Sequence, residues 1–273
     1  MRKDFQEIYA YAKNKGFIIK IYTNASLVNP RLIKYFKKCP PYLIEVSFNA
    51  ATKGNFEKIA QKEGAFECSL RGISLISKAK LPLLIKTRVL KANFGQLPKI
   101  NEFCRGLGVR FSPSPILHAR LNGDNTPCRL RITPRQVVSL KQNIFPNDAN
   151  VVMPEFYRKK YIRSIQALFF CDISCSRIFN VDPYGDTFPC ALIREPRISL
   201  LEHDINEAIN MARGFVRGKK FLSNSKCKGC DLKETCINCP GVALLETGNM
   251  EAPIDYSCKL AKLLLHKENR VLY

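Results

Sequence analysis

No run of apolar residues in this 273-residue chain approaches the eighteen that a membrane-spanning helix needs, so no membrane span is expected. An apolar leader is missing too. Met1-Arg-Lys-Asp-Phe runs into charged, amphipathic sequence, which argues against a secretory signal and makes the cytoplasm the expected compartment. Acids are scarce in the first half: residues 1–150 hold 26 Lys and Arg against 9 Asp and Glu, and residues 151–273 hold 18 against 14, so the net charge of +21 is mostly N-terminal. A surface of that sign could attract a polyanion. However, no Arg-rich tract or base-stacking motif accompanies it, and the lysines are spread over expected helices. Solvated helix faces account for the charge, and no nucleic-acid partner is expected. Histidine is nearly absent, with three in the chain. His118 follows an expected strand and, standing alone, reads as a structural hydrogen bonder rather than a base.

Cysteine, by contrast, is abundant. In a reducing compartment twelve cysteines point to metal binding or redox chemistry rather than to a disulfide framework. Eight of them fall in the last 103 residues, as Cys171-x3-Cys175-x9-Gly185-x4-Cys190, Cys227-x2-Cys230-x5-Cys236-x2-Cys239 and Cys258. Thiolates bind iron or zinc in sets of four, and close pairs such as Cys227 and Cys230 form tight turns whose sulfurs converge, so eight make two full sets. Taken alone, Cys227, Cys230, Cys236 and Cys239 would also satisfy one tetrahedral zinc in a basic binding module. That alternative leaves Cys171, Cys175, Cys190 and Cys258 unassigned. Cys39, Cys68, Cys104 and Cys128 sit singly and read as small buried apolar residues.

With 46% hydrophobic residues the chain can bury a full core, and its length suits two domains. The first 115 residues alternate β-branched runs with amphipathic stretches, the pattern of an α/β parallel sheet covered by helices. Strands are expected at Phe17 to Tyr22, Leu43 to Phe48, Leu83 to Leu90 and Val109 to Ser112. The helices before them are expected near Asp4 to Lys15, Pro30 to Lys38, Phe66 to Lys80 and Gln96 to Leu107. Asn29-Pro30 sets a capping side chain before a proline at the first helical position, and Gly16 and Gly108 close helices in the left-handed conformation. Ligands of such sheets sit at the carboxyl ends of strands, which makes Thr23-Asn24, Ser47 to Asn49, Lys91 to Asn93 and Pro113 to His118 the expected active edge. Residues 122–168 read as a helical linker with breaks at Pro134 and Pro146. From Cys171 on strands are short, Asp182-Pro183-Tyr184-Gly185-Asp186 reads as a hairpin turn, and cysteine stands in for a conventional core.

The segment Ser176-Arg-Ile-Phe-Asn-Val-Asp-Pro-Tyr-Gly-Asp-Thr-Phe-Pro-Cys190, with the later cysteines, Gly241 and Thr247-Gly248 in order, resembles the radical S-adenosylmethionine enzymes that carry a C-terminal SPASM domain of auxiliary iron–sulfur clusters. Upstream, IYTNAS, VSFNAATKGNFEKI, KTRVLKANFGQLPKI and GVRFSPSP resemble successive strands and loops of the family's partial barrel. The resemblance implies an incomplete parallel (β/α) partial barrel over 1–121, the helical linker region over 122–168, a small cysteine-rich α+β SPASM domain over 169–265 and a tail over 266–273. It implies two auxiliary 4Fe-4S clusters, one on Cys171, Cys175, Cys190 and Cys239 and the other on Cys227, Cys230, Cys236 and Cys258. It also implies S-adenosylmethionine contacts at Thr23, Asn24, Ser47 and Asn93. In the intact family an electron from the catalytic cluster cleaves S-adenosylmethionine, and the adenosyl radical takes a hydrogen atom from a peptide, protein or small-molecule substrate. The electron comes from a donor such as a ferredoxin or flavodoxin.

The sequence departs from that pattern at its start. The CxxxCxxC motif that binds the catalytic cluster occurs nowhere, nor does GGEP, and Met1-Arg-Lys-Asp-Phe-x-Glu-Ile resembles the stretch that follows GGEP. The expectation is a chain that begins inside a larger protein, with S-adenosylmethionine bound only in an intact longer form. The alternative is a degenerate, non-catalytic paralogue that binds substrate or transfers electrons. In addition, Asn49 stands where the family often has an acid, and the gap between Cys236 and Cys239 is one residue shorter than its commonest form.

Overall fold

The computed structural model describes residues 2–153, 167–169, 179–233 and 235–268. The chain forms two compact units. One comprises residues 1–116, 130–132 and 139–154, and the other residues 117–129, 133–138 and 155–273.

The first unit is built on four parallel strands in the order β1-β2-β3-β4: β1 Lys20–Thr23, β2 Leu43–Ser47, β3 Leu83–Arg88 and β4 Arg110–Ser114. The register pairs Thr23 with Val46, Val46 with Ile85 and Ile85 with Phe111, which puts these side chains on one face. There they are covered by helices α1 Phe5–Asn14, α2 Pro30–Lys38, α4 Ala65–Lys78 and α5 Leu97–Gly106. Ile44, Val46, Ile85 and Phe111 are all buried, as a sheet layered against helices requires. Asn29 caps α2, its Oδ1 accepting from Leu32 N at 2.9 Å, and Gly16 and Gly108 have φ of 85° and 65°, the left-handed closures expected of them.

Three details differ from the sequence reading. Phe17 and Ile18 precede β1 instead of opening it and are 66% and 79% exposed, because β1 is the sheet's edge and has a neighbour on one side only. A further helix, α3 Lys53–Ala60, lies between β2 and α4; it buries only Phe56, so its apolar period is too thin to announce it. Pro134 does not break a helix but opens one, α6 Pro134–Ser139, at the position where a proline's missing N–H costs nothing.

The second unit holds an antiparallel sheet of β5 Asn180–Val181, β6 Asp186–Phe188 and β7 Ile198–Ser199, followed by helices α7 Ile205–Gly218, α8 Pro240–Thr247 and α9 Asp255–Glu268. The β5–β6 turn is tied by Asp182, whose Oδ1 accepts from Tyr184 N at 2.8 Å and Asp186 N at 3.2 Å, and Gly185 takes the positive φ of 88° that the tight turn needs. Leu168, Phe169, Ile193 and Val216 form one apolar cluster here, and Ile198, Ala208 and Ala212 another. The described part therefore has a small conventional core that the sequence reading did not anticipate. The missed element is α7, whose buried face of Ala208, Ala212 and Val216 closes both clusters.

Candidate functional site

Five thiols meet at one cavity of the second unit, namely Cys227, Cys230, Cys236, Cys239 and Cys258, whose walls also include Leu168, Phe221, Pro240 and Met250. Local structure explains the convergence. Residues 223–224, 226–229 and 231–233 form turns, Cys239 is the N-cap of α8 with Pro240 at its first position, and Cys258 lies in the first turns of α9. Thr235 Oγ1 donates to Leu232 O at 3.2 Å and approaches Ala261 O at 3.5 Å, which holds α9 against the cysteine turns. Burial, with Cys230 close by, pushes the Cys258 thiol above its ordinary value.

Cys190 stands just after β6 in a turn closed by Ile193 N donating to Cys190 O at 3.0 Å, and its sulfur accepts from Leu192 N at 3.4 Å. Cys236 receives the same kind of bond from Asn238 N at 3.5 Å. Gly241, two residues after Cys239, lies so close to Leu192 that a Cβ there would stand 2.8 Å from the leucine's own Cβ. The Cys190 turn and the Cys239 helix start are therefore neighbours. Cys171 and Cys175 lie outside the described residues.

Among the described residues, no three His, Cys, Asp or Glu side chains gather closely enough to hold a single metal ion. A tetrahedral zinc needs its sulfurs about 2.3 Å from one point. A cubane cluster is bound by thiolates on four different irons, so its ligands stand further apart around a cavity. Five thiols lining one pocket, with peptide N–H donors on the Cys190 and Cys236 sulfurs, are a donor set that fits the cluster.

The positions suggested for S-adenosylmethionine divide into two groups. Thr23 and Asn24 at the end of β1 line an apolar cavity of about 230 Å³ with Phe5, Ile21, Val28 and Phe36. Thr23 Oγ1 accepts from Ala25 N, and Asn24 Oδ1 accepts from both Ser26 N and Ser26 Oγ. Ser47 is exposed at the end of β2. Asn93, however, is 0% exposed, and its amide is fully occupied: Nδ2 donates to Asn49 O at 2.7 Å and Arg88 O at 2.8 Å, while Oδ1 accepts from Leu90 N at 2.8 Å. Its place is that of a brace for the loops after β2 and β3. Asn49, where an acid was expected, accepts from Arg88 N at 2.9 Å. His118 Nδ1 lies 2.7 Å from Ala119 O, the structural bond expected of it.

Of the single cysteines Cys104 is buried, and burial pushes its thiol up to about 12, whereas Cys39, Cys68 and Cys128 are half-buried. The residue that sequence reasoning passed over is Arg88, at the carboxyl end of β3. Its Nη1 donates to Ser114 Oγ at 3.1 Å and to Ile116 O.

No family model matches the chain. It is 23% identical over 282 residues to the AdoMet-dependent heme synthase of Methanosarcina barkeri, covering 91% of this chain and 76% of that protein. It is 24% identical over 280 residues to the PqqA peptide cyclase of Granulibacter bethesdensis, covering 96% and 72%. Among solved structures, anSMEcpe with bound AdoMet superposes with a TM-score of 0.68 at 14% identity, over 97% of this chain and 75% of that one. With the parallel sheet, these likenesses make the chain similar to the radical S-adenosylmethionine enzymes and give it an α/β fold like theirs.

Proposed function

We propose that the chain is an iron–sulfur protein of the radical S-adenosylmethionine type whose cysteine-rich part is a SPASM domain holding two auxiliary 4Fe-4S clusters. Cys227, Cys230, Cys236 and Cys258 would bind one, and Cys190 and Cys239 would join Cys171 and Cys175 on the other. The observation that carries this reading is the convergence of five thiols on one cavity, with no three-residue set suited to a single ion among the described residues. The contact of Gly241 with Leu192 supports the crossover, because it sets the start of α8 beside the Cys190 turn. Auxiliary clusters of this kind supply a site that anchors substrate or accepts an electron. The protein's own part is the apolar wall of Leu168, Phe221, Pro240 and Met250 beside the sulfurs, and the peptide N–H bonds to Cys190 and Cys236.

In the first unit, Thr23, Asn24 and Ser47 at the strand ends would contact S-adenosylmethionine when an intact site is present, with Asn93 bracing the loops behind them. The substrate would be a peptide or a small molecule, in line with a relative named as a peptide cyclase and another named as a heme synthase. An electron donor such as a ferredoxin or flavodoxin would complete the system. Iron and acid-labile sulfide analysis of anaerobically reconstituted protein tests the cluster reading, with about eight of each expected per chain. Zinc without sulfide would support the basic binding module instead.

A further inference from the structure

All the charged residues of the four-stranded sheet lie on one face. The register places Lys20 beside Leu43, Glu45 beside Leu84, Leu84 beside Arg110 and Arg88 beside Ser114, so Lys20, Glu45, Lys86, Arg88 and Arg110 point away from the helix-covered side. Four cations thus face one carboxylate. Glu45 is 6% exposed and already taken, since its Oε2 lies 2.8 Å from Lys86 Nζ and its Oε1 4.0 Å from Lys20 Nζ.

Arg88 differs from these lysines. Ser114 Oγ and Ile116 O, on β4 and just beyond it, hold one nitrogen of the guanidinium, and among the described residues no carboxylate pairs with it. Neighbouring atoms draw its pKa below the ordinary value, although the residue as a whole is exposed. An accessible cation that is oriented by neighbouring acceptors and has no carboxylate partner is placed to take an anion. Its planar fork matches a carboxylate in two-point geometry. It also stands at the carboxyl end of a parallel strand, level with Ser47's neighbour Phe48 through the Thr87 Oγ1 bond to Phe48 O at 2.5 Å, and this is the edge at which such sheets bind ligands.

We propose that Arg88, steered by Ser114 and Ile116, binds a carboxylate of the substrate, so that the substrate class is carboxylate-bearing. This rests on the proposed reading of the strand ends as the ligand edge. It does not need the clusters: iron and sulfide content tests that reading, and carboxylate binding tests this one.

The full chain would be titrated with two probe pairs, coproporphyrin III against its tetramethyl ester and an acidic hexapeptide against its glutamine counterpart. In at least one pair the free acid should bind about tenfold tighter than its neutral analogue, a difference expected of one charge-assisted pair. Arg88→Gln should remove that advantage, and Arg88→Lys should restore part of it. A loss confined to the porphyrin pair assigns a tetrapyrrole carboxylate, and one confined to the peptide pair assigns an acidic peptide. If Arg88→Gln does not fold, Ser114→Ala carries the test, and a drop of about threefold is expected from a less constrained guanidinium. Equal binding of acid and neutral probe in both pairs overturns the proposal. So does unchanged acid binding in the variants.

Discussion

Asn93 is the residue whose removal should cost the first unit most for its size. Truncation to alanine leaves three backbone groups without their partner at once: Leu90 N, Asn49 O and Arg88 O, each within 2.8 Å of the amide. An orphaned buried N–H costs about 1–3 kcal/mol, a carbonyl somewhat less, and the site is too enclosed for water to step in freely. The sum is about 3–4 kcal/mol for Asn93→Ala, a large share of the roughly 5–15 kcal/mol that holds an ordinary domain. With a urea slope of about 1–3 kcal/mol per molar, the midpoint of the first unit's transition should fall by about 1–4 M. Asn93→Asp sharpens the test because it keeps shape and the acceptor for Leu90 N, but it turns oxygen toward the two carbonyls. It should be at least as damaging. If Asn93 instead served only to contact a ligand, both variants would unfold like the parent protein. A loss below about 1 kcal/mol in Asn93→Ala, or an aspartate variant of parental stability, would refute the bracing role.

Gly72→Ala should destabilise the first unit by about 1–3 kcal/mol despite the better helix propensity of alanine. The added Cβ would stand 2.1 Å from Ala25 O, so the loop after β1 must move; Gly214→Ala, with open space around it, should gain about 0.5–1 kcal/mol, and thermal melts of the two compare them. Cys104, with its thiol at about 12, should resist iodoacetamide at pH 8 in the native protein and react once unfolded, which peptide mass spectrometry reads directly. Asp148 gives the pH dependence. Burial alone would raise its pKa, but bonds from Arg105, Asn150 N and Asn101 outweigh that and hold it below the usual carboxylate range. A depressed folded-state pKa contributes stability that is present above the unfolded value near 3.9 and lost as pH falls through the folded one. Asp148→Asn should therefore flatten the loss of stability below about pH 4 while lowering stability at pH 7, as urea midpoints across that range would reveal.

Much of this fold is legible in local sequence, and the parts that are not share a cause. Leu83 to Leu90 reads as a strand from its β-branched and apolar run, and the structure forms it over Leu83–Arg88, burying Leu83 and Ile85 together with Thr87, whose hydroxyl is bonded to Phe48 O. Phe17 and Ile18 are equally apolar and stay exposed, since apolarity marks what a strand could bury and not whether a neighbour exists. The cysteine pairs were readable from spacing because two residues between thiols fix a tight turn. That Cys258 joins a cavity with Cys227 and Cys230 depends on where α9 packs, which no local pattern encodes. Asn93 stands in the loop after β3 and holds Arg88 at the end of that strand, but its other partner, Asn49, follows β2, so its role as a brace depends on the register that sets the two strand ends side by side.

These braces also bear on how the ligand edge would work. Ser69 Oγ, on α4, donates to Asn24 O at 2.9 Å, and Gly72 on the same helix lets Ala25 pack against it with φ of 62°. Asn93 grips Arg88 through its carbonyl, and Ser114 grips the same residue through its guanidinium. The side chains at the strand ends are thus positioned by polar groups that never reach the open face. A substitution in α4, or in the loop that carries Asn93, should therefore weaken ligand binding without removing a contact. Because the misplacement would be geometric, restoring charge alone would not rescue it, whereas Arg88→Lys should rescue Arg88→Gln in part. That contrast separates a residue that binds from one that holds the binder in place.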